Sequence, residues 1–186
     1  MARRRPAVIR LGTDAVSRMH DYLRLIDTRT QGRRNDVTPL FANPQAFLAL
    51  VEDLIRPFAQ VEFDCVAGID ALGFILGTAI AVRLKKGFVP IRKGGKLPVQ
   101  ADTAEFVDYT GQGKSLELRT EAIHAGARVL VVDEWVETGA QIKAACELLE
   151  KQGGVVIGVA TINMDDNPTT RTLREKYKCH TVWRDG

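Results

Sequence analysis

The densest chemistry in this 186-residue chain lies in Val129-Leu130-Val131-Val132-Asp133-Glu134-Trp135-Val136-Glu137-Thr138-Gly139-Ala140-Gln141. The continuous apolar run at its start reads as a strand buried on both faces of a parallel sheet, expected over Ala127 to Asp133. That strand delivers two adjacent acids to its carboxyl end, and Thr138-Gly139 then opens a helix. The free amides of the first helical turn, the Thr138 hydroxyl and the positive helix terminus suit a phosphate monoester. A carboxylate at the strand end accepts hydrogen bonds from vicinal sugar hydroxyls. Sugar and phosphate would then sit about one helical turn apart. From these residues alone, an ordinary strand-to-helix turn with acids placed for the helix dipole remains an alternative.

Other segments must position these groups. Asp64 to Ile69 reads as a short buried strand, Phe74 to Leu84 as a helix, and Gly87 to Ile91 as a second strand. After the acidic segment, Gly139 to Lys151 reads as a helix, Val155 to Ile162 as a strand, Pro168 to Lys176 as a helix and Thr181-Val182-Trp183 as an edge strand. Strands separated by helices imply an α/β fold with a parallel sheet covered on both faces, its ligand beyond the carboxyl strand ends. Upstream, Leu11 to Ile26 has helical spacing with Thr13 or Asp14 as cap. Asn43-Pro44 starts another helix, with apolar residues at 47, 50, 51, 54 and 55, that ends near Pro57. Arg92 to Glu121 breaks the alternation: it is polar and glycine-rich, and it reads as a lid or mobile hairpin, a flap over about 100–120.

Asp36-Val37-Thr38-Pro39-Leu40 with Pro44-Gln45-Ala46-Phe47, then Gly68 to Gly77, Ile91 to Pro98, and the acidic segment follow one another in an order that resembles the type I phosphoribosyltransferases. Within that family they look most like the adenine phosphoribosyltransferases. The resemblance spans roughly residues 25 to 165. It implies a Rossmann-like sheet flanked by helices, a flexible flap hairpin and a small N-terminal hood, all in one domain, with residues 1–40 as arm and hood. By the same resemblance, Asp133 and Glu134 contact the ribose hydroxyls of 5-phosphoribosyl 1-diphosphate (PRPP). Thr138 with the amides of Gly139, Ala140 and Gln141 holds the 5-phosphate. Asp70-Ala71-Leu72 forms the pyrophosphate loop, with a cis peptide after the acid, and Arg92, Lys93 and Lys96 face the diphosphate with bridging Mg²⁺. Asp108-Tyr109 matches an acid–tyrosine pair on the flap.

The chain departs from the family at three places. Leu72 stands where an arginine that meets pyrophosphate is usual, and Ala140-Gln141 replaces a glycine followed by a hydroxyl residue. Glu137 stands where adenine-specific enzymes have a small residue and 6-oxopurine enzymes an aspartate that handles a base proton, so it is a candidate general acid/base. The expected activity is a purine-salvage transfer of phosphoribosyl to a purine base, adenine first, giving nucleoside monophosphate. A 6-oxopurine enzyme and a non-catalytic PRPP or nucleotide sensor of the same fold stay open.

Composition agrees with a soluble globular protein: 45% of residues are hydrophobic and 26% charged. The net charge of +3 owes part of its excess to Arg3-Arg4-Arg5, a short arm that does not by itself imply nucleic-acid binding. No apolar run suggests a membrane span or signal peptide, so a cytoplasmic protein is expected, and the family adds a homodimer. Cys65, Cys146 and Cys179 are scattered without metal or disulfide spacing and are expected to be reduced thiols.

Overall fold

A computed structural model describes residues 21–31 and 35–183. The basic arm Met1 to Pro6, the expected caps Thr13 and Asp14, and part of Thr28 to Asn35 lie outside the described residues. Of the helix expected from Leu11 to Ile26, the described part is a 3₁₀ turn, Asp21–Leu25.

The chain divides into two compact units, residues 1–50 and 51–186. In the first, Asp27 and Asp36 form an antiparallel bridge and the Asp36 carboxylate accepts the Thr38 amide at 2.9 Å and hydroxyl at 2.6 Å. These bonds launch a short helix, α1 (Thr38–Ala42), which the sequence reading left unassigned. Asn43 caps α2 (Pro44–Ile55), its Oδ1 accepting the Ala46 amide at 2.9 Å. Phe41 and Phe47 meet edge to face, 5.2 Å apart. The helix α2 straddles the division and passes into a 3₁₀ turn, Arg56–Phe58, in the second unit.

The second unit is built on a seven-stranded sheet in the order β3-β4-β2-β1-β5-β6-β7. Its strands are β1 (Cys65–Ile69), β2 (Gly87–Lys93), β3 (Ala101–Val107), β4 (Gly113–Arg119), β5 (Arg128–Val136), β6 (Val155–Met164) and β7 (Cys179–Thr181). From β2 through β7 the pairings are parallel, while β3 and β4 are antiparallel to each other and β4 to β2. The helices are α3 (Leu72–Leu84), α4 (Ala140–Lys151) and α5 (Pro168–Lys176). Alternate residues Ala67, Ile69, Val129 and Val131 join the core cluster that includes Ile142, Ala145 and Leu149 of α4. On β1 and β5 the intervening positions meet α3, whose Gly73 lies against Gly68 and Val132.

Two expectations change. The edge strand is Cys179–Thr181, not Thr181–Trp183, because those residues pair with Val159–Thr161 while the Trp183 ring meets that of Trp135 at 6.1 Å. The Arg92–Glu121 region forms the expected hairpin, but with a buried face instead of a wholly polar surface. Its hairpin is part of the sheet, and Leu116 and Leu118 are fully buried there. Cys65, Cys146 and Cys179 are free thiols, as expected. Among the described residues no helix is long and apolar enough to cross a membrane.

Candidate functional site

The strand β5 carries its two acids to the carboxyl edge of the sheet and continues past the expected end at Asp133. Trp135 and Val136 still pair with Asn163 and Met164 of β6. Asp133 is only 6% exposed, whereas Glu134 is half-buried. The Asp133 Oδ1 accepts the Glu134 amide at 2.9 Å, and its Oδ2 accepts the Gln141 side-chain amide at 3.0 Å. The first turn of α3 closes on the same spot. A Cβ on Gly73 would lie 2.7 Å from the Val132 carbonyl oxygen and 3.1 Å from Asp133 Oδ1, so only glycine permits the approach.

Between β5 and α4 the chain turns through Gly139, whose φ of +83° lies in the left-handed region that favours glycine. Thr138 is exposed and its Oγ1 accepts the Ala140 amide at 3.3 Å. The loop is fastened from outside by residues the sequence reading missed. Asn167, the cap of α5, donates its side-chain amide to the Glu137 carbonyl at 2.7 Å, and the Thr161 hydroxyl donates to the Glu134 carbonyl at 2.8 Å. Neither has a local signal beyond Asn167-Pro168 as a helix start.

The Asp70–Ala71 peptide is cis, as the resemblance implied, and α3 begins at Leu72, two residues before the expected Phe74. Parallel pairing of β1 with β2 sets Ile69 opposite Ile91, which brings Arg92 to the loop. Its Nε lies 3.2 Å from Asp70 Oδ2, and its guanidinium sits 5.8 Å from the Phe74 ring centroid. Lys93 ends β2 and Lys96 follows in the next turn, both exposed. That turn is tied by Glu117 of β4, which accepts the backbone amides of Gly95, Lys96 and Leu97 at 2.7, 3.2 and 3.3 Å. The Gly95 amide, then those of Leu97 and Lys96 and the charge of Arg92, hold the Glu117 carboxyl below its usual range against the cost of desolvation. Glu117 was not foreseen as a site residue; the alternation from Ser115 to Arg119 was its only trace.

Asp108 and Tyr109 stand on a separate element, the turn joining β3 to β4. Asp108 Oδ1 accepts the Thr110 amide at 2.8 Å, its hydroxyl at 2.6 Å and the Gln112 amide at 3.1 Å. The Thr110 hydroxyl above all holds this carboxyl below the usual carboxylate range. Tyr109 is 40% exposed. The structure thus brings together Asp70 with Arg92, and Asp133 and Gln141 with Gly73, while Asp108 organises its own turn. A cavity of about 810 Å³ opens near the amino ends of β1 and β2, beside Cys65, Gly87 and Ala127, at the opposite edge of the sheet from the acidic pair.

This geometry supplies a carboxylate pair for a diol, a helix start for a phosphate, and a cationic turn for a second phosphate group. Residues 38–183 match the family model described as phosphoribosyl transferase domain. The adenine phosphoribosyltransferase of Cereibacter sphaeroides is 42% identical over 146 residues, covering 77% of this chain and 82% of that protein. The crystal structure of adenine phosphoribosyltransferase from Thermoanaerobacter pseudethanolicus superposes with a TM-score of 0.80 at 31% identity, covering 88% of this chain and 98% of that one. The Giardia lamblia enzyme, solved in complex with 9-deazaadenine, gives a TM-score of 0.81 at 28% identity, over 90% of this chain and 98% of that one. The chain belongs to the adenine phosphoribosyltransferase family of phosphoribosyl transferase domains.

Proposed function

We propose that this protein transfers the 5-phosphoribosyl group of PRPP to adenine, releasing AMP and pyrophosphate. The observation that carries the reading is the β5–α4 unit, in which a buried acid at the strand end and the first turn of the following helix flank one short loop. Asp133 and Glu134 accept the ribose hydroxyls. Thr138 and the amides of Gly139, Ala140 and Gln141 hold the 5-phosphate. Arg92, Lys93 and Lys96 face the diphosphate beside Asp70, Ala71 and Leu72. The bond from the anomeric carbon to the diphosphate oxygen breaks as the base nitrogen bonds to that carbon, through an oxocarbenium-like state, and the base loses one proton.

Glu137 is the better acceptor for that proton. It lies on the β5–α4 loop itself, whereas the hydrogen bonds to Asp108 hold that carboxyl in its ionised form and commit it to the hairpin turn. Asp108 instead shapes the tip that carries Tyr109, and the hairpin serves as the flap that excludes water. Among the described residues no group of three or more His, Cys, Asp or Glu side chains is arranged to hold a metal. Mg²⁺ would be carried mainly by the diphosphate, as an ion that keeps few protein ligands beside substrate phosphates. When bound, the ion neutralises charge on the departing diphosphate. A cytoplasmic homodimer completes the proposal. Incubation with PRPP, Mg²⁺ and a panel of adenine, hypoxanthine and guanine tests it. AMP and pyrophosphate should accumulate with adenine; PRPP binding without nucleotide from any base would overturn the catalytic reading in favour of a sensor.

A further inference from the structure

We infer that Gln141 is a positioning residue for sugar recognition, its side chain fixing the Asp133 carboxylate from the phosphate side of the site. An ionised carboxylate is acceptor-only, and a glutamine amide is a neutral donor that can satisfy it without competing for charge. Asp133 Oδ1 accepts the Glu134 amide at 2.9 Å, and Oδ2 accepts Gln141 Nε2 at 3.0 Å. The two donors define the carboxylate plane, with the Gly73 backbone closing one side. Gln141 is the second residue of α4, so the group that orients the sugar-binding acid stands on the turn whose amides receive the phosphate. The side chain folds back from α4 to Asp133 of β5. One residue thereby links the two halves of the site.

This inference rests on the reading of Asp133 as a sugar-hydroxyl acceptor, and the test separates the two. The full-length protein and its Gln141→Ala, Gln141→Met and Asp133→Asn variants are titrated calorimetrically with AMP and with 2′,3′-dideoxy-AMP. The dideoxy nucleotide carries the same phosphate and base but no hydroxyls for Asp133. Loss of a hydrogen bond that orients a charged acceptor should weaken AMP binding about tenfold in both Gln141 variants. Dideoxy-AMP binding should change less than about twofold, because only the sugar contacts depend on the carboxylate orientation. Gln141→Met keeps the length and packing of the side chain, so it carries the test if the alanine variant folds poorly. Equal losses for the two nucleotides would make Gln141 a purely structural tie and overturn the inference, as would no loss for either. Asp133→Asn that keeps the full preference for AMP over dideoxy-AMP would instead overturn the reading of Asp133 itself.

Discussion

Replacing Gly73 with alanine sets a methyl group 2.7 Å from the Val132 carbonyl oxygen, 3.1 Å from Asp133 Oδ1 and 3.3 Å from Asp133 Cα. None of these atoms yields easily. Val132 is paired with Gly68 of β1 on one side and Ala160 of β6 on the other, and the Asp133 carboxylate is held by Glu134 and Gln141. Alanine gains about 1 kcal/mol of helix preference over glycine, but overpacking against fixed backbone costs about 1–3 kcal/mol. We expect a net loss of up to about 2 kcal/mol, which in a chain of this size lowers Tm by up to roughly 8 °C. AMP affinity should fall about tenfold or more, because the displaced carboxylate loses charge-assisted contacts with the ribose. Gly77→Ala is the matched control on the same helix. Its methyl would meet the Phe88 ring edge at 2.8 Å and everything else at 3.5 Å or more, and a side-chain ring can shift where a sheet carbonyl cannot. That variant should stay within about 1 kcal/mol of wild type and bind AMP normally. Thermal unfolding by circular dichroism and AMP calorimetry read both effects. A Gly73→Ala protein that melts and binds like wild type, or a Gly77→Ala protein that is the more damaged, would refute the reasoning.

Leu72→Arg adds a cation at the start of α3 beside the Asp70–Arg92 pair, and should raise kcat/KM for AMP formation about ten- to a hundredfold. A folded variant that gains neither rate nor pyrophosphate affinity removes residues 70–72 from the pyrophosphate loop. Glu117 has a folded pKa below its ordinary value of 4.5, so its stabilisation is present above that pH and is lost as pH falls through the depressed folded value. Denaturant unfolding between about pH 5 and 3 should show a shallower acid loss for Glu117→Gln than for wild type, and identical slopes would count against the tie. Burial pushes the Cys146 thiol up to about 12 and Cys179 up to about 11, and raises Cys65 as well. A disulfide reagent at pH 8 should therefore label the native protein slowly and the denatured protein at all three thiols; rapid native labelling contradicts this. Limited digestion with a nonspecific protease should first cut the exposed Tyr109–Gln112 turn, and PRPP with Mg²⁺ should slow that cut. First cleavage elsewhere, unchanged by ligand, would argue against the flap.

What the sequence disclosed follows from the range of the forces involved. The run Val129–Val132 announces itself within a few residues, and β5 forms there, ending three residues beyond the expected Asp133, while α5 spans the expected Pro168–Lys176. The turn at Thr138-Gly139 that opens α4 was legible for the same reason. The Arg92–Glu121 stretch read as a hairpin and β3–β4 forms one, but its glycines and charges hid that Leu116 and Leu118 are fully buried. Val182 drew the edge strand too far along the chain, since its burial comes without pairing in β7. Contacts made across large sequence separations left no local mark. Glu117 reaches the Gly95 turn through the β2–β4 register, and Asn167 reaches Glu137 only after β6 has crossed the sheet.

Those long-range ties bear on how the hairpin and the cationic turn act together. On the proposed function, with Leu72 in place of an arginine, positive charge for the leaving diphosphate would come from Arg92, Lys93 and Lys96 in this part of the site. Arg92 is fixed by Asp70 on its own side of the sheet, but the turn carrying Lys96 is fixed by a residue of β4. The strand β4 is also one arm of the hairpin whose tip holds Asp108 and Tyr109, and it pairs with β2 only at Arg92 and Lys93. A tilt of the hairpin therefore cannot leave the lysines untouched, because the shortest of the Glu117 bonds, 2.7 Å to Gly95, joins the two directly. If the hairpin closes over a diphosphate as proposed, the Glu117 bonds couple that closure to the turn that carries Lys96.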